Sequence, residues 1–350
     1  MGKIEANLHE AIARRMIDQQ MDALRLAAGL SNDAQAILDA LAIALRQTLA
    51  TRPRRRSTLE KQIQQAQQQI EQAYRQLQAL QTQALQNYAP VLAAGNTTAL
   101  RQIMPQAIGI AAPVIPKIAD LLILGSPAKD WWQAQARSTQ QAFARELRLG
   151  FVSGQSTEVI AARIIGARAT PGIMDVSRRQ ARQLVHTSLM TLANQVREAT
   201  YQANQDVVRG LRWLATLDGR TCLFCAARDG QRYDLHHRPV GHNLPWEGGP
   251  GASHFGCRCV ATAVLVPLRE LGLGVDDFAG STRASMDGQV DAKLTFEHWL
   301  QGKSKAFQDE YFGPGRADLW RSGHLTLAEL LDMRGRPLTI DVLKEKVASG

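Results

Sequence analysis

The segments DGRTCLFC (218–225) and HFGCRC (254–259) contain every cysteine of this 350-residue chain. A secreted protein held together by disulfides would be smaller and richer in cysteine. In a reducing compartment, clustered cysteines beside a histidine indicate a metal site. The two segments therefore predict that the chain around them, 211–266, folds around a metal ion.

Five side chains in these segments are candidate metal ligands, namely Cys222, Cys225, His254, Cys257 and Cys259. Zinc takes four nitrogen or sulfur ligands in a tetrahedron, so one of the five is left over. A C-x2-C turn places two sulfurs on one ion. Residues two apart in a strand share a face, so Cys257 and Cys259 can both reach it, or His254 replaces one of them. The sequence predicts a structural zinc ion. Thiols without metal, including a Cys222–Cys225 disulfide, and a catalytic thiol are the alternatives.

An enzymatic site is the rival interpretation of the same region. His236, His237, Asn243 and His254 are the residue types of a ββα-metal nuclease of the His-Asn-His kind. Such an enzyme needs a histidine general base and a separately bound metal near the scissile phosphate. The interval from His237 to Asn243 is short and its loop is rich in Gly and Pro. We therefore expect no catalysis and no small-molecule substrate.

The segments around the cysteines have β character. LRWLATLD (211–218) predicts a strand, and Asp-Gly pairs at 218–219 and 229–230 predict turns. A loop rich in His, Pro and Gly follows at 236–252. CRCVATAVLVP (257–267) predicts a second strand, ended by Pro267.

The rest of the chain has helical patterns. Residues 1–50 predict two helices, the first ending near Gly29 and the second capped by SND (31–33). A heptad at 59–86 predicts a helix that packs against another helix, of this chain or of another subunit. Ser156 or Thr157 caps a helix to about Ile165, a long helix begins near Asp175, and short helices occupy the chain from 293.

These patterns predict a mainly α, multi-domain fold with a small α+β Cys/His module of zinc-finger-like type. The expected divisions are an N-terminal helical region at 1–130, a helical core at 131–210, the module at 211–267 and short helices at 268–350. Trp131 and Trp132 are expected to anchor the helical core.

The chain is basic, with 41 Lys and Arg against 32 Asp and Glu, a formal charge of +9. Such a chain is attracted to polyanions. The run RPRRR at 52–56 is either a solvated loop or a contact for nucleic acid or an acidic protein.

The most apolar run, 103–124, contains three prolines, a lysine and an aspartate, so we expect no membrane span. The first residues lack the apolar core of a secretory signal.

The chain from Trp213 to Cys259 resembles the phage head-morphogenesis family that includes the Mu F-like minor head proteins. The matching residues, in the family's order, are Trp213, Asp218, Arg220, Thr221, Cys222, Cys225, Asp229, Gly230, His254, Cys257, Arg258 and Cys259. The segments 146–164, 178–202 and 296–345 are also similar to parts of the family. His186-Thr187-Ser188 and Phe255 depart from its usual residues.

The resemblance implies a minor capsid or head-morphogenesis protein, assembled in the host bacterial cytoplasm and located in the virion head. It implies binding to portal protein, major capsid protein or both, with packaged DNA as a further candidate partner. The alternative is a DNA-acting protein, either the nuclease above or a DNA-binding protein ejected with the genome. We also expect zinc to supply folding energy that a small core at 211–266 lacks. Arg220, Arg228 and Arg258 would offer charge to an acidic neighbour or DNA.

Overall fold

A computed structural model describes residues 3–103, 112–167, 170–267, 270, 282–291 and 293–349. Its helices are α1 (Lys3–Leu49), α2 (Arg56–Ile103), α3 (Ala128–Val152), α4 (Thr157–Ile165), α5 (Ile173–Gln202), α6 (Leu223–Ala226), α7 (Phe296–Gln301), α8 (Lys305–Phe312), α9 (Pro314–Arg321) and α10 (Ile340–Ser349). Its strands are β1 (Leu122–Ile123), β2 (Ser126–Pro127), β3 (Val208–Leu214), β4 (Arg232–Asp234), β5 (Pro239–Val240), β6 (Val260–Leu265), β7 (Thr282–Ser285) and β8 (Gly288–Asp291). The mainly helical character predicted from the sequence is confirmed.

The chain divides into two compact units. The sheet unit contains 1–22, 89–115 and 193–350, and the helical unit contains 23–88 and 116–192. The divisions predicted after residues 130, 210 and 267 stay predictions. None of the described helices has both the length and the apolar character needed to cross a membrane. The apolar run at 103–124 lies partly outside the described residues, and its Leu121 and Ile123 are buried.

The prediction of two helices within residues 1–50 is wrong, because α1 runs without a break from Lys3 to Leu49. Ser31 does not cap a new helix, since its hydroxyl donates to the carbonyl oxygen of Ala27 one turn earlier, at 2.6 Å. Leu30, Ala34 and Leu38 form a buried stripe at helical spacing directly after Gly29. Burial of this stripe outweighs the roughly 1 kcal/mol that a glycine costs inside a helix.

The heptad of α2 is buried inside the helical unit. Its buried positions are Leu59, Ile63, Ala66, Ile70, Ala73 and Leu77. Two polar contacts fix α2 against its neighbours. The Tyr74 hydroxyl lies 3.0 Å from the Thr139 hydroxyl of α3. The Gln81 amide donates to the Ser188 hydroxyl of α5 at 2.8 Å and accepts from the Trp132 indole at 2.9 Å. Trp132 is thus a core residue, as expected, whereas Trp131 is only half-buried.

A four-stranded antiparallel sheet in the order β5-β4-β3-β6 forms the centre of the sheet unit. The two strands predicted from the sequence, at 211–218 and 257–267, correspond to β3 and β6, and they pair with Leu211 opposite Ala263 and Trp213 opposite Ala261. All six residues of β6 are buried. This pairing places the last residue of β3, which precedes the first cysteine segment, opposite the first residue of β6, which follows the second cysteine segment.

The C-terminal helices share the core of the sheet unit. Phe296, Leu300 and Trp320 pack in one apolar cluster with Trp213 and Leu211. The expectation that 211–266 has a small core of its own is therefore wrong. Many of the region's apolar side chains are buried against residues of α7 to α10.

Candidate metal centre

The first two cysteines lie on a tight turn that leads into α6. Cys222 is the N-cap residue of this short helix, and Cys225 lies inside it. The turn before them is fixed by Asp218, whose carboxylate accepts from the backbone N–H of Arg220 at 3.0 Å. One helical turn therefore brings both sulfurs to the same side, as a C-x2-C pattern requires.

The other candidate ligands lie on the glycine-rich loop before β6. Gly249 has φ +83°, and a Cβ there would lie 2.6 Å from the Trp246 ring, so only glycine allows this close approach. Gly251 donates its backbone N–H to the Cys257 sulfur at 3.1 Å. The loop thus folds over Trp246 and turns Cys257 towards α6.

The structure brings the five candidates together. The His254 Nε2 atom lies 3.2 Å from the Cys222 sulfur and 3.3 Å from the Cys225 sulfur. The sulfurs of Cys225 and Cys257 are 3.7 Å apart. Two groups, Cys222/Cys225/His254 and Cys225/Cys257/Cys259, each have all ligand atoms within 4.8 Å of one another. Cys225 belongs to both groups. We refer to the five residues as the Cys/His cluster.

The spacing of these donors fits a tetrahedral zinc ion. Zn–S bonds of about 2.3 Å and Zn–N bonds of about 2.0–2.1 Å give sulfur–sulfur edges of about 3.8 Å and sulfur–nitrogen edges of about 3.6 Å. The observed 3.7 Å and 3.2–3.3 Å lie near these values. The His254 Nδ1 atom lies 3.0 Å from the Phe255 carbonyl oxygen, so Nε2 is the ring nitrogen that faces the sulfurs and would bind a metal after losing its proton.

The protons of the cluster are already shared between thiols and imidazole. Hydrogen bonds from Cys225 and then His254 lower the pKa of Cys222 to about 5. Hydrogen bonds to Cys222 and then Cys257 raise the pKa of His254 to about 11. The pKa of Cys225 is raised by its contacts with the Cys222, Cys257 and Cys259 sulfurs and by burial. Crowded sulfurs cannot all ionise unless a cation compensates their charge, and zinc is such a cation.

Two arginines expected at the surface are instead part of the support of the cluster. Arg228 is fully buried, with its guanidinium 3.6 Å from the Phe224 ring centroid. It donates to the carbonyl oxygens of Phe224 and Pro245, at 2.9 and 3.0 Å. Arg258 forms an ion pair with Asp218. Neither is free to meet a partner, and Arg220 alone of the three is well exposed.

An aromatic group beneath the cluster was only partly predicted. Trp213, which the sequence places in a strand beside the first cysteine segment, lies under the turn with its ring centroid 6.1 Å from that of Phe224. The contribution of Trp246 was missed, although its indole packs edge-on against Trp213 at 5.5 Å. The pattern WEGG (246–249) was the available signal, because paired glycines after a tryptophan allow backbone to cross its ring.

A cleft of about 720 Å³ opens beside the cluster. Cys222, half-buried, lies in its wall with Arg220, Leu223, Phe307 and Tyr311. The other three cysteines are buried. Solvent therefore reaches the cluster on the side of Cys222.

The residues of the alternative nuclease site do not form one group. His237 stacks on Trp246 with 4.9 Å between ring centroids and bonds to Glu198 at 3.0 Å. His236 and Asn243 are exposed, and His254 belongs to the Cys/His cluster. Within the described residues, the groups of three or more potential ligands include neither His236 nor His237.

Comparison with known families identifies the part of the chain that holds the cluster. Residues 141–262 match the family model described as Phage Mu protein F like protein. This segment is Mu F-like. The Mu F-like segment begins within α3, ends within β6 and contains all five residues of the Cys/His cluster. The match confirms the predicted resemblance over this segment, which is about a third of the chain. Neither a curated protein nor a solved structure matches the chain.

Proposed function

We propose that this chain is a minor capsid protein that acts in head assembly of a tailed bacteriophage by binding portal or major capsid subunits. The observation that carries the proposal is the position of the Cys/His cluster inside the Mu F-like segment. The chain would assemble in the host cytoplasm and become part of the virion head. Its role would be structural, without catalysis.

A structural zinc ion would be held by four of the five residues of the cluster. Bound zinc would supply a cross-link between the α6 turn and the loop that precedes β6. The protein contributes the orientation of its donors. The Phe255 carbonyl fixes the His254 tautomer, and the N–H of Gly251 stabilises a negative Cys257 sulfur. Because α7 to α10 share the core, we propose that zinc fixes the local shape of this loop rather than the fold of the whole unit.

The assembly role is tested with phage that lack this chain. We expect their heads to be non-infectious and to recover when the wild-type chain is supplied in trans. Tagged chain from the same cells should co-purify with portal or major capsid protein. Normal infectious heads in its absence, or co-purification with neither subunit, would contradict the proposal.

A matched pair of variants connects the cluster with this role. Cys225→Ser removes the candidate ligand that both three-residue groups share, whereas His236→Ala removes an exposed histidine from the same region outside the cluster. We expect the first variant to complement poorly and the second to complement like wild type. If both variants complemented equally, the assembly role would not depend on metal binding by the cluster.

A further inference from the structure

The net positive charge of the chain belongs entirely to the helical unit. This unit has eighteen Lys and Arg against nine Asp and Glu, an excess of nine. The sheet unit has twenty-three of each, and its formal charge is zero. Segments of the two units alternate along the sequence, so the division of charge is visible only once the fold is known. The affinity for polyanions expected from composition therefore belongs to one unit.

The densest positive charge of the helical unit is the connection between α1 and α2. We refer to residues 52–56 as the arginine turn. Its four arginines, Arg52, Arg54, Arg55 and Arg56, are exposed, whereas Pro53 between them is buried. The turn is also fixed from α2, because the Gln62 amide donates to the carbonyl oxygens of Thr48 at 3.1 Å and Thr51 at 2.7 Å. The buried proline and the two bonded carbonyl groups attach this turn to the helical unit, unlike a fully solvated loop.

Three of the four arginines of the turn have no acidic partner among the described residues, whereas Arg56 lies close enough to Glu60 for their charges to interact. Glu60 is the nearest carboxylate on α2, and it is occupied by Arg148 of α3, with N–O distances of 3.3 and 3.0 Å. Within the part of the chain that the structure describes, Arg52, Arg54 and Arg55 form no ion pair. The Arg148–Glu60 pair is neutral as a whole and leaves the charge of the turn unchanged.

We propose that the arginine turn binds the phosphate backbone of duplex DNA. Guanidinium groups pair with phosphate oxygens through two parallel hydrogen bonds and remain charged at any physiological pH. Duplex DNA has a negative charge about every 1.7 Å of its axis, counting both strands. A turn with four arginines within five residues can therefore contact several phosphates at once. Protein interfaces combine arginine with aromatic or apolar anchors that are buried on binding, and the exposed residues of this turn include no aromatic or apolar anchor. The proposal concerns the helical unit and does not rest on the role in head assembly.

The test is a titration of the full-length protein with a labelled duplex of arbitrary sequence at several salt concentrations. The variant R54Q/R55Q removes two charges from the turn. Its matched control R334Q/R336Q removes two exposed arginines from the sheet unit. Each phosphate contact contributes about 0.9 to the slope of log K against log salt. We expect R54Q/R55Q to weaken binding and lower that slope by about 1.8, with little change in the control.

Three results would overturn the proposal. The first is wild-type protein that does not bind the duplex at low salt. The second is equal loss of affinity in R54Q/R55Q and R334Q/R336Q, which would indicate attraction by net charge alone. The third is binding of polyglutamate as tight as that of DNA at equal charge concentration, which would assign the turn to an acidic protein. Circular dichroism of both variants checks that the helices are retained.

Discussion

The sulfur atoms of Cys225 and Cys257 lie 3.7 Å apart although 32 positions separate the two residues in the chain. This distance is too long for a disulfide and near the sulfur–sulfur edge of a zinc tetrahedron. Cys225 also lies 3.3 Å from His254 and belongs to both three-ligand groups. It is therefore the residue on which the metal centre depends most.

Single substitutions of the five candidates should identify the four ligands. We expect Cys225→Ser to lose zinc, because both groups share this sulfur. Among Cys222→Ser, His254→Ala, Cys257→Ser and Cys259→Ser, one variant should keep a full equivalent of zinc, since a tetrahedral site uses four donors. Zinc content of each purified variant checks this. A Cys225→Ser protein with unchanged zinc would show that the shared position is not a ligand.

Asp229 should be the most sensitive carboxylate of the sheet unit. It forms a buried ion pair with Arg283 at 3.1 Å and accepts from the backbone N–H groups of Ala215 and Phe296, at 2.6 and 2.7 Å. Asp229→Asn leaves a buried arginine without its counter-charge and should cost about 3–5 kcal/mol in the free energy of unfolding. Denaturant titration measures the loss.

The exposed pair between Asp332 and Arg336 is the control for Asp229. Asp332→Asn should cost much less than Asp229→Asn, because solvent screens such pairs. Arg283 lies on β7, so its pair with Asp229 connects the β7–β8 hairpin to the rest of the sheet unit. If the two variants lost similar amounts of unfolding free energy, this buried pair would contribute no more than an exposed one.

Gly249 should tolerate no side chain. Gly249→Ala brings a Cβ to 2.6 Å from the Trp246 ring at φ +83°. Gly241 is the matched control, since it has φ +81° but nothing within 4 Å of a Cβ. Both variants carry the strain of the positive φ, about 1–2 kcal/mol. Gly249→Ala should lose about 1–3 kcal/mol more from the clash, measured by thermal unfolding. Equal losses would refute the close approach.

His237 should make stability depend on pH. Its bond to Glu198 raises its pKa above the ordinary 6.5. A raised pKa in the folded state gives stability that is fully present below pH 6.5 and is lost as the pH rises through the raised pKa. The wild type should therefore exceed His237→Gln in stability most in mild acid, and the difference should shrink in mild alkali. Both proteins keep the Cys/His cluster, so loss of metal in acid cancels in the comparison. A difference that does not change with pH would exclude this role of His237.

Local patterns in the sequence predicted local structure well. A cap of α4 at Ser156 or Thr157 was predicted, and the structure has Ser156 there, with its hydroxyl accepting from the N–H of Val159. The strand around Trp213 and its valine-rich partner were also predicted, because alternating apolar residues between turns favour strands. The convergence of the cysteine segments follows from the pairing of these strands.

Features that depend on distant contacts were not predictable from local pattern. The burial of Arg228 depends on carbonyl oxygens supplied by Phe224 and by Pro245 of the distant loop. The continuity of α1 through Gly29 depends on tertiary burial that outweighs helix propensity. The large core of the sheet unit depends on Phe296 and its neighbours, which lie far along the chain.

The central claim, a metal held by the Cys/His cluster, is tested most directly by elemental analysis of full-length protein purified under reducing conditions without chelator. The result that we expect is about one zinc per chain, lost in Cys225→Ser and retained in the control His236→Ala. Wild-type protein that is folded and contains no zinc or other transition metal would contradict the claim.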